Sequence, residues 1–411
     1  NINNHTIHLV NEGGSLSRTD MANAIGRLID SDILYSAAGP NIILGNGTHP
    51  NINLVTGDNT TFSINGLISS AGGANLTFNG PTIVNASTIN SGSGNQQYND
   101  SLTLNNAVAL IGNQISINNG VGGNQNLQLI ANFSSLRGAF ALQNLTITGS
   151  SGNNTLSLDT DTLQIWNITG TNAGNLAGIP GISGSFTFGN IQNLTGGNES
   201  DQFNFANGGI LAGTVDGGPL VALNTLNYNA YQSPLSVVLN TSLYGGQTVN
   251  SNSLVNSFTN IDNITTNPGF SNSLTLPNKS NTLVITDARR GYVNDQFFFD
   301  GFNTFISTSG SDQVIFLVPH DINFFTGIVI VNGVPMTFQN FFANSGGPGV
   351  FVDISRIIQQ PDINGDEKPT FTNGNTTYTL EENFDDLLRQ AETDFGSNLD
   401  SVKINPYCAP I

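Results

Sequence analysis

A two-residue alternation of apolar and polar side chains recurs in very short runs over residues 51–290 and limits the folds that this chain can adopt. Asn and Gly separate the runs, and no helical period interrupts them. In a β-strand, alternation by two places every second side chain on the same face. Strands this short cannot hold a sheet alone, but they can stack as rungs of a repeating structure. Representative runs begin at Leu102, Leu145, Leu156, Phe203 and Leu274.

The composition supports many short strands joined by many turns. Asn and Gly number 61 and 47 of 411 residues, and both are turn residues. Only 9% of residues are charged, while 37% are hydrophobic, which is enough for an extended core and argues against disorder. We therefore predict an all-β protein whose strands stack into parallel sheets, with about 20 residues for each coil.

Positive charge is almost missing from the middle of the chain. No Lys or Arg occurs between Arg27 and Arg137, or between Arg137 and Lys279, and the formal net charge is −18. Binding to nucleic acid needs clustered cations that displace counterions from phosphates, so nucleic acid is excluded as a partner. An anionic membrane surface is not expected as a partner either.

Cysteine content and hydropathy point to the compartment. The single Cys408 cannot form a disulfide framework, so stability has to come from the core and from ladder hydrogen bonds. No run of 18 apolar residues occurs, so we expect no transmembrane segment. Low charge, many Asn and almost no Cys are typical of an exported bacterial protein, and we expect this chain to be extracellular or on the bacterial cell surface.

Two short helices are predicted outside the alternating region. Residues 19–29 place Met21, Ile25 and Leu28 on one helical face, with Thr19 as the N-cap. A capping-box pattern at residues 379–382 opens a second helix that runs to about residue 395. Helices at the ends of a stack would cover apolar core and unpaired strand edges.

Together these patterns predict four segments. A Phe-rich β-subdomain follows the repeats, because residues 297–351 hold 12 of the 25 Phe, and Asn332-Gly333 between two apolar runs is a strong hairpin signal. We expect most of these rings to be core. The segments are 1–50, an N-terminal cap with a short helix; 51–290, the β-solenoid; 291–360, the Phe-rich terminal β-subdomain; and 361–411, an acidic tail with one helix.

An Asn or Asp opens several predicted strands, followed by one polar residue and an apolar pair. The motif occurs at Asn154, Asp201, Asn281, Asp295 and Asp312. A side-chain oxygen at such a position can accept hydrogen bonds from backbone amides one or two residues on. The copy over residues 196–204 is similar to a calcium-binding nonapeptide except at Glu199. Because the copies do not occur in tandem, we interpret them as structural turns.

Two stretches resemble a known family. Residues 94–119, which contain Asn99-Asp100-Ser-Leu-Thr-Leu104, and residues 199–240 are similar to repeats of the filamentous-haemagglutinin-type bacterial surface adhesins. The resemblance covers about half of the chain and implies a right-handed parallel β-helix that is exported as part of a surface fibre. The family's amino-terminal secretion domain is not recognisable, and residues 290–411 match nothing in the repeat.

Catalytic signatures are scarce. Neither a Gly-x-Ser-x-Gly elbow nor a phosphate-binding glycine loop occurs, and no His lies between His49 and His320, which excludes His-based catalysis or a zinc site in the solenoid body. Some parallel β-helices cleave polysaccharides, and hydrolysis needs converging carboxylates. Asp159 and Asp161, two apart in a predicted strand, are the best candidate pair. Glu199, Asp201 and Asp216 form a second candidate group.

One candidate metal site lies in the acidic tail. Asp362, Asn364 and Asp366 place oxygen ligands at positions one, three and five of a calcium loop. The pattern departs from that loop at position six, which is Glu367, and at position twelve, which is Asn373. The alternative interpretation is a polar turn, and we expect no other cofactor.

Three functions follow from the sequence. The first is a non-enzymatic adhesin or binding module for glycans or for receptors on host or neighbouring cells, with Asn, Ser and Thr ladders bonding to sugars and aromatic residues stacking on them. The second is a structural subunit of an extracellular fibre that associates end to end. The third is a polysaccharide-degrading β-helix enzyme.

Overall fold

The computed structural model of the protein describes residues 62–341 with short gaps, and the backbone of seven strands outside this range. The gaps are 71–72, 161, 220–222, 243, 250–253, 309–311 and 324–326. Contacts divide the chain into two compact units, Asn1–Phe270 (unit 1) and Ser271–Ile411 (unit 2). The helices predicted at 19–29 and 379–395 lie outside the described residues, except that Thr379 is the last residue of a strand. Within the described residues every element of regular structure is a β-strand.

Unit 1 is built of short strands. In chain order they are β1 (His5–Leu9), β2 (Ser36–Ala38), β3 (Asn41–Leu44), β4 (Ile52–Thr56), β5 (Phe62–Ile64), β6 (Ile68–Ser70), β7 (Ala74–Phe78), β8 (Thr82–Val84), β9 (Thr88–Asn90), β10 (Asn95–Tyr98), β11 (Leu102–Leu104), β12 (Val108–Ile111), β13 (Gln114–Ile117), β14 (Val121–Gly122), β15 (Asn126–Ala131), β16 (Phe133–Arg137), β17 (Asn144–Gly149), β18 (Thr155–Asp159), β19 (Gln164–Gly170), β20 (Ala173–Ala177), β21 (Phe186–Gly189), β22 (Asn193–Thr195), β23 (Asp201–Phe205), β24 (Leu211–Asp216), β25 (Thr225–Tyr228), β26 (Ser236–Leu239), β27 (Gly246–Thr248), β28 (Val255–Thr259) and β29 (Asn263–Thr266).

Unit 2 continues with strands of the same kind. They are β30 (Ser273–Thr275), β31 (Thr282–Asp287), β32 (Arg290–Val293), β33 (Phe297–Asp300), β34 (Thr304–Ile306), β35 (Gln313–Phe316), β36 (His320–Asn323), β37 (Ile328–Val331), β38 (Val334–Gln339), β39 (Phe351–Asp353), β40 (Thr370–Asn373) and β41 (Thr376–Thr379).

Strands of unit 1 pair in parallel in three ladders that the chain visits in rotation. Ladder A runs through β1, β4, β7, β10, β13, β16, β18, β22 and β24. Ladder B runs through β3, β6, β9, β12, β15, β17 and β21. Ladder C contains β5, β8, β11 and β14. From β6 to β14 the order is B, A, C, repeated, and equivalent positions on neighbouring strands lie 18 to 20 residues apart.

The predicted alternation is present, and it builds the core. Buried and partly exposed residues alternate along most described strands, as in β17 and β18. Buried aromatic rings stack on equivalent rings of the next strand in the ladder: Phe78 on Tyr98, with centroids 4.9 Å apart, and Trp166 on Phe203, at 5.7 Å. Each strand therefore buries its inward side chains against copies of the same position.

Two antiparallel meanders interrupt the parallel order in unit 1. In ladder B, β19, β20 and β21 pair antiparallel, while β21 pairs with β17 and β19 with β23 in parallel. In ladder A, β26, β27 and β28 form the equivalent meander, and β28 pairs with β24 in parallel. Each meander adds two strands to one ladder without interrupting its hydrogen bonding.

Unit 2 repeats this combination. Meanders β31–β33 and β36–β38 are antiparallel, whereas β30–β34–β38 and β31–β35–β39 are parallel. Asn332 and Gly333, both with positive φ, join β37 to β38, which confirms the predicted hairpin. Phenylalanines fill the interior as predicted, with rings in contact at Phe299, Phe305, Phe316 and Phe338. Phe298, however, is exposed.

The described part of the protein is therefore all-β, with long sheets in which parallel pairing dominates. The four segments drawn from the sequence stay a prediction. Among the described residues there is no helix with the length and apolar character that crossing a bilayer requires.

Candidate functional site

Only Asp159 of the predicted carboxylate pair lies among the described residues. Asp159 is the last residue of β18, and Asp161 lies outside the described residues. The Asp159 carboxylate accepts hydrogen bonds from Arg137 Nε at 2.7 Å and from Asn198 Nδ2 at 3.1 Å. Arg137 and Asp159 are register partners on β16 and β18, so the ion pair links neighbouring strands of ladder A. These contacts describe a structural ion pair, and the role of the pair in catalysis stays a prediction.

The second candidate group is spread over different surroundings. Asp201 is buried, and its Oδ2 accepts a hydrogen bond from Gly197 N at 2.8 Å. Asp216 Oδ1 instead accepts from Gly218 N and from Asn260 Nδ2. These bonds hold backbone turns in place.

Asp201 has an unusual protonation equilibrium. Burial raises its pKa to about 7, while the amides of Gly197 and Gln164 and the indole of Trp166 act in the lowering direction. Among the described residues, Asp201 Oδ1 has no partner at hydrogen-bond geometry, and neither do the neighbouring buried atoms Trp166 Nε1 and Gln164 Oε1. The carboxyl is therefore poised near neutral pH, but it lies inside the stack and away from solvent.

Asp201 belongs to a vertical series of buried polar residues, Asp201, Asn224 and Asp262, which we call the buried Asx column. Asn224 Oδ1 accepts from Asp201 N at 2.9 Å, and Asp262 Oδ2 accepts from Asn224 N at 2.8 Å. Asn224 Nδ2 also donates to Asn260 O at 3.0 Å. We predicted amide partners one or two residues on. This was wrong for the motif residue Asp201, because its Oδ2 accepts from Gly197 N, four residues earlier. The motif nevertheless has a structural role, because its carboxylates accept hydrogen bonds from backbone amides at Asp201 and Asp312.

No grouping of three metal-ligating His, Cys, Asp or Glu side chains occurs among the described residues. The candidate calcium loop at Asp362, Asn364 and Asp366 lies outside them.

On the surface of unit 1, Asn side chains form chains of hydrogen bonds, here called the surface amide ladders. Asn118 Nδ2 donates to Asn99 Oδ1 at 2.8 Å, and Asn99 Nδ2 donates to Asn79 Oδ1 at 2.7 Å. Asn105, Asn85 and Asn65 form a second such series. An amide has two donor hydrogens and two acceptor lone pairs, so each member keeps capacity for another partner. The recurrence of Asn every 19 or 20 residues is the sequence signal from which these ladders could have been predicted.

A concave surface feature lies on the outer face of ladder B, and we call it the amide groove. It is open, has a volume of about 620 Å³, and crosses β12, β15 and β17; Ser87, just before β9, and Ser185, just before β21, also line it. The five successive strands of ladder B from β9 to β21 span about 19 Å at ordinary strand spacing. The lining residues are small, amide or hydroxyl side chains with two aliphatic neighbours: Ser87, Ala107, Val108, Ala109, Asn126, Leu127, Gln128, Asn144, Thr146 and Ser185.

Strand register explains the shape and polarity of the groove. Ala109, Gln128 and Thr146 are register partners on β12, β15 and β17, so a small side chain lies beside two polar ones. Asn144 Nδ2 donates to Asn126 Oδ1 at 2.9 Å, which fixes the orientation of these amides. None of the described lining residues is titratable, so the groove can donate and accept hydrogen bonds but offers no acid, base or charged nucleophile.

The ladders and this neutral groove define an all-β, strand-rich repeating architecture with an open, uncharged groove on its surface. The sequence matches no protein-family model, and comparison with the curated proteins and with the solved structures gives no match.

Proposed function

We propose that this protein is an extracellular binding module of adhesin type, a right-handed parallel β-solenoid that binds neutral glycans in its amide groove. The observation that carries the proposal is the groove itself: β12, β15, β17 and the residues beside them present amides, hydroxyls and small side chains, with no charged residue among the described lining residues. A neutral glycan needs both donors and acceptors along an extended path, and the groove supplies both.

The solenoid is supported by the rotation of the chain through three ladders and by the recurrence of equivalent positions after 18 to 20 residues. Parallel crossover connections are right-handed in almost all proteins, which supports the handedness. The adhesin class rests on the resemblance of residues 94–119 and 199–240 to the filamentous-haemagglutinin-type repeats. The extracellular location rests on the low charge and the single Cys.

Binding is favoured over hydrolysis because the candidate carboxylates Asp159, Asp201 and Asp216 are engaged elsewhere. Glu199 is exposed and does not line the groove. Asp159 accepts hydrogen bonds from Arg137 and Asn198, and Asp201 is buried in its column. Cleavage of a glycosidic bond needs two carboxyl groups that face the substrate, and none occurs among the described residues that line the amide groove.

The test is a glycan array probed with the full chain and with an Ala109→Trp variant, in which an indole fills the groove. Ala109 lies on the outer face of β12, so the core is unchanged. We expect the wild-type chain to bind neutral glycans and the variant to bind at least about tenfold more weakly, a loss of about 1.4 kcal/mol.

The matched control is Gln97→Trp, which places the same indole on an exposed position of β10, outside the groove. This control should bind as the wild type does. A blank array, or equal binding by both variants, contradicts the proposal; filaments that grow with concentration would instead favour the fibre subunit.

A further inference from the structure

Unit 2 has an outer surface unlike that of the groove. Phe298 is 44% exposed, whereas Phe297 and Phe299 on either side of it are buried. Its register partner is Tyr292 on β32, and the two rings meet edge to face with centroids 6.0 Å apart. The tyrosine ring packs against the phenylalanine ring, which remains open to solvent.

An ion pair lies on the same face. Arg290 and Asp300 are register partners two residues from Tyr292 and Phe298, so all four side chains point to the same side of the meander β31–β33. Arg290 donates to Asp300 Oδ2 from Nη2 at 2.6 Å and from Nε at 3.1 Å. Their side chains are 61% and 40% exposed, so both charged groups can still reach a ligand.

We propose that Arg290, Tyr292, Phe298 and Asp300, the aromatic–ionic face, form a carbohydrate-binding site separate from the amide groove. The ligand class is an oligosaccharide of β-linked glucopyranose units. The axial C–H bonds of such a sugar make a flat apolar surface that stacks on Phe298. Its equatorial hydroxyls point sideways, where Asp300 accepts hydrogen bonds and Arg290 donates them.

The ion pair favours a sugar over an apolar partner as the ligand of this face. A lipid or an apolar peptide covering Phe298 would also take the adjacent charges out of water without replacing their hydrogen bonds, which is costly. A sugar edge replaces those bonds with its hydroxyls. The face is also preorganised, because all four residues lie on β32 and β33 and none on a loop.

The experiment titrates the full chain with cellohexaose, with α-linked maltohexaose for comparison. Four proteins are used: wild type, Phe298→Ala, Phe298→Trp and Ile330→Ala. Ile330 is a matched control, because it is 43% exposed on a different meander of the same unit. Circular dichroism and melting temperature verify that each variant is folded.

We expect cellohexaose to bind better than maltohexaose, and Phe298→Ala to weaken binding about tenfold. Phe298→Trp should preserve binding and add a fluorescence signal that shifts to the blue with sugar, because the only native tryptophan, Trp166, is buried. Ile330→Ala should leave the affinity unchanged.

Three results would overturn this site: no cellohexaose binding, binding that Phe298→Ala does not weaken, or a concentration-dependent dimer that Phe298→Ala abolishes. The last would assign the face to a second copy of the chain. The Ala109→Trp variant keeps the two proposals apart, because it alters only the groove and leaves Phe298 untouched.

Discussion

Asparagine performs two different tasks in unit 1, in the buried Asx column and in the surface amide ladders. In both, a side chain bonds to an equivalent position on the next strand, at 2.7 to 2.9 Å around Asn99 and Asn224. The column bonds to backbone amides that no water can reach, since Asn224 is fully buried. The ladders bond side chain to side chain where water competes.

Burial, and not bond length, therefore sets the energetic value of these amides. A lost hydrogen bond at the surface is replaced by water, so its net contribution is small. A lost partner in the interior leaves a donor or acceptor with nothing to bind. Three substitutions test this difference, and they are given in order of decreasing expected change in stability.

Asn224→Ala should be the most damaging of the three. It removes the acceptor for Asp201 N and the donor to Asn260 O inside the stack. We expect a loss of about 2 to 5 kcal/mol in the free energy of unfolding. Trp166 fluorescence during denaturant unfolding measures it, because this buried ring stacks on Phe203, two residues after Asp201. A loss below about 1 kcal/mol, on the same scale as a surface hydrogen bond, would contradict the role of the column.

Asp201→Asn should change the pH dependence of stability. The folded-state pKa of Asp201 is about 7, above its ordinary value of 3.8, because burial disfavours the carboxylate. The stability that the protonated Asp201 carboxyl contributes is therefore fully present below about pH 4. It is lost as the pH rises to about 7, where the buried carboxyl has to ionise. The variant should match wild type near pH 4 and be more stable by about 2 to 4 kcal/mol above about pH 7.

Thermal or denaturant unfolding of both proteins from about pH 4 to 8 gives this difference. A shallower slope should remain in the variant, since burial also raises the pKa of Asp262. Parallel pH profiles for the two proteins would show that Asp201 does not titrate in this range.

Asn99→Ala should have the smallest effect. Asn99 accepts from Asn118 and donates to Asn79 in a surface ladder, and water can replace both partners. We expect a loss of about 0.5 kcal/mol, comparable to an ordinary surface substitution. The same fluorescence-detected unfolding applies. A loss as large as that of Asn224→Ala would remove the distinction between column and ladder.

Much of the fold is readable from the sequence because the two-residue alternation is a local pattern. It predicted strands and inward-facing residues correctly, and the Asn-Gly pair, another local signal, predicted the hairpin at Asn332-Gly333. It could not predict the meanders, since alternation is the same whether a strand such as β20 runs parallel or antiparallel to its neighbour.

The candidate sites were harder to predict because they depend on register. Ala109, Gln128 and Thr146 become neighbours only once β12, β15 and β17 are aligned. Likewise, the exposure of Phe298 among buried phenylalanines follows from its position on β33 and not from its residue type. The spacing of acidic residues along the chain predicted that Asp159 belongs to a catalytic carboxylate pair. Its partners among the described residues are instead an arginine and an amide.

The meanders also limit how this chain can gain or lose residues during evolution. Each one adds two strands, or about 10 Å, to a single ladder. The chain passes repeatedly between ladders A and B. An insertion in only one ladder therefore makes that ladder longer than the other by this length. Unit 1 carries β19–β21 in ladder B and β26–β28 in ladder A, so the additions are equal. Insertions and deletions in related chains are therefore expected to occur in pairs, one for each ladder, and seldom alone.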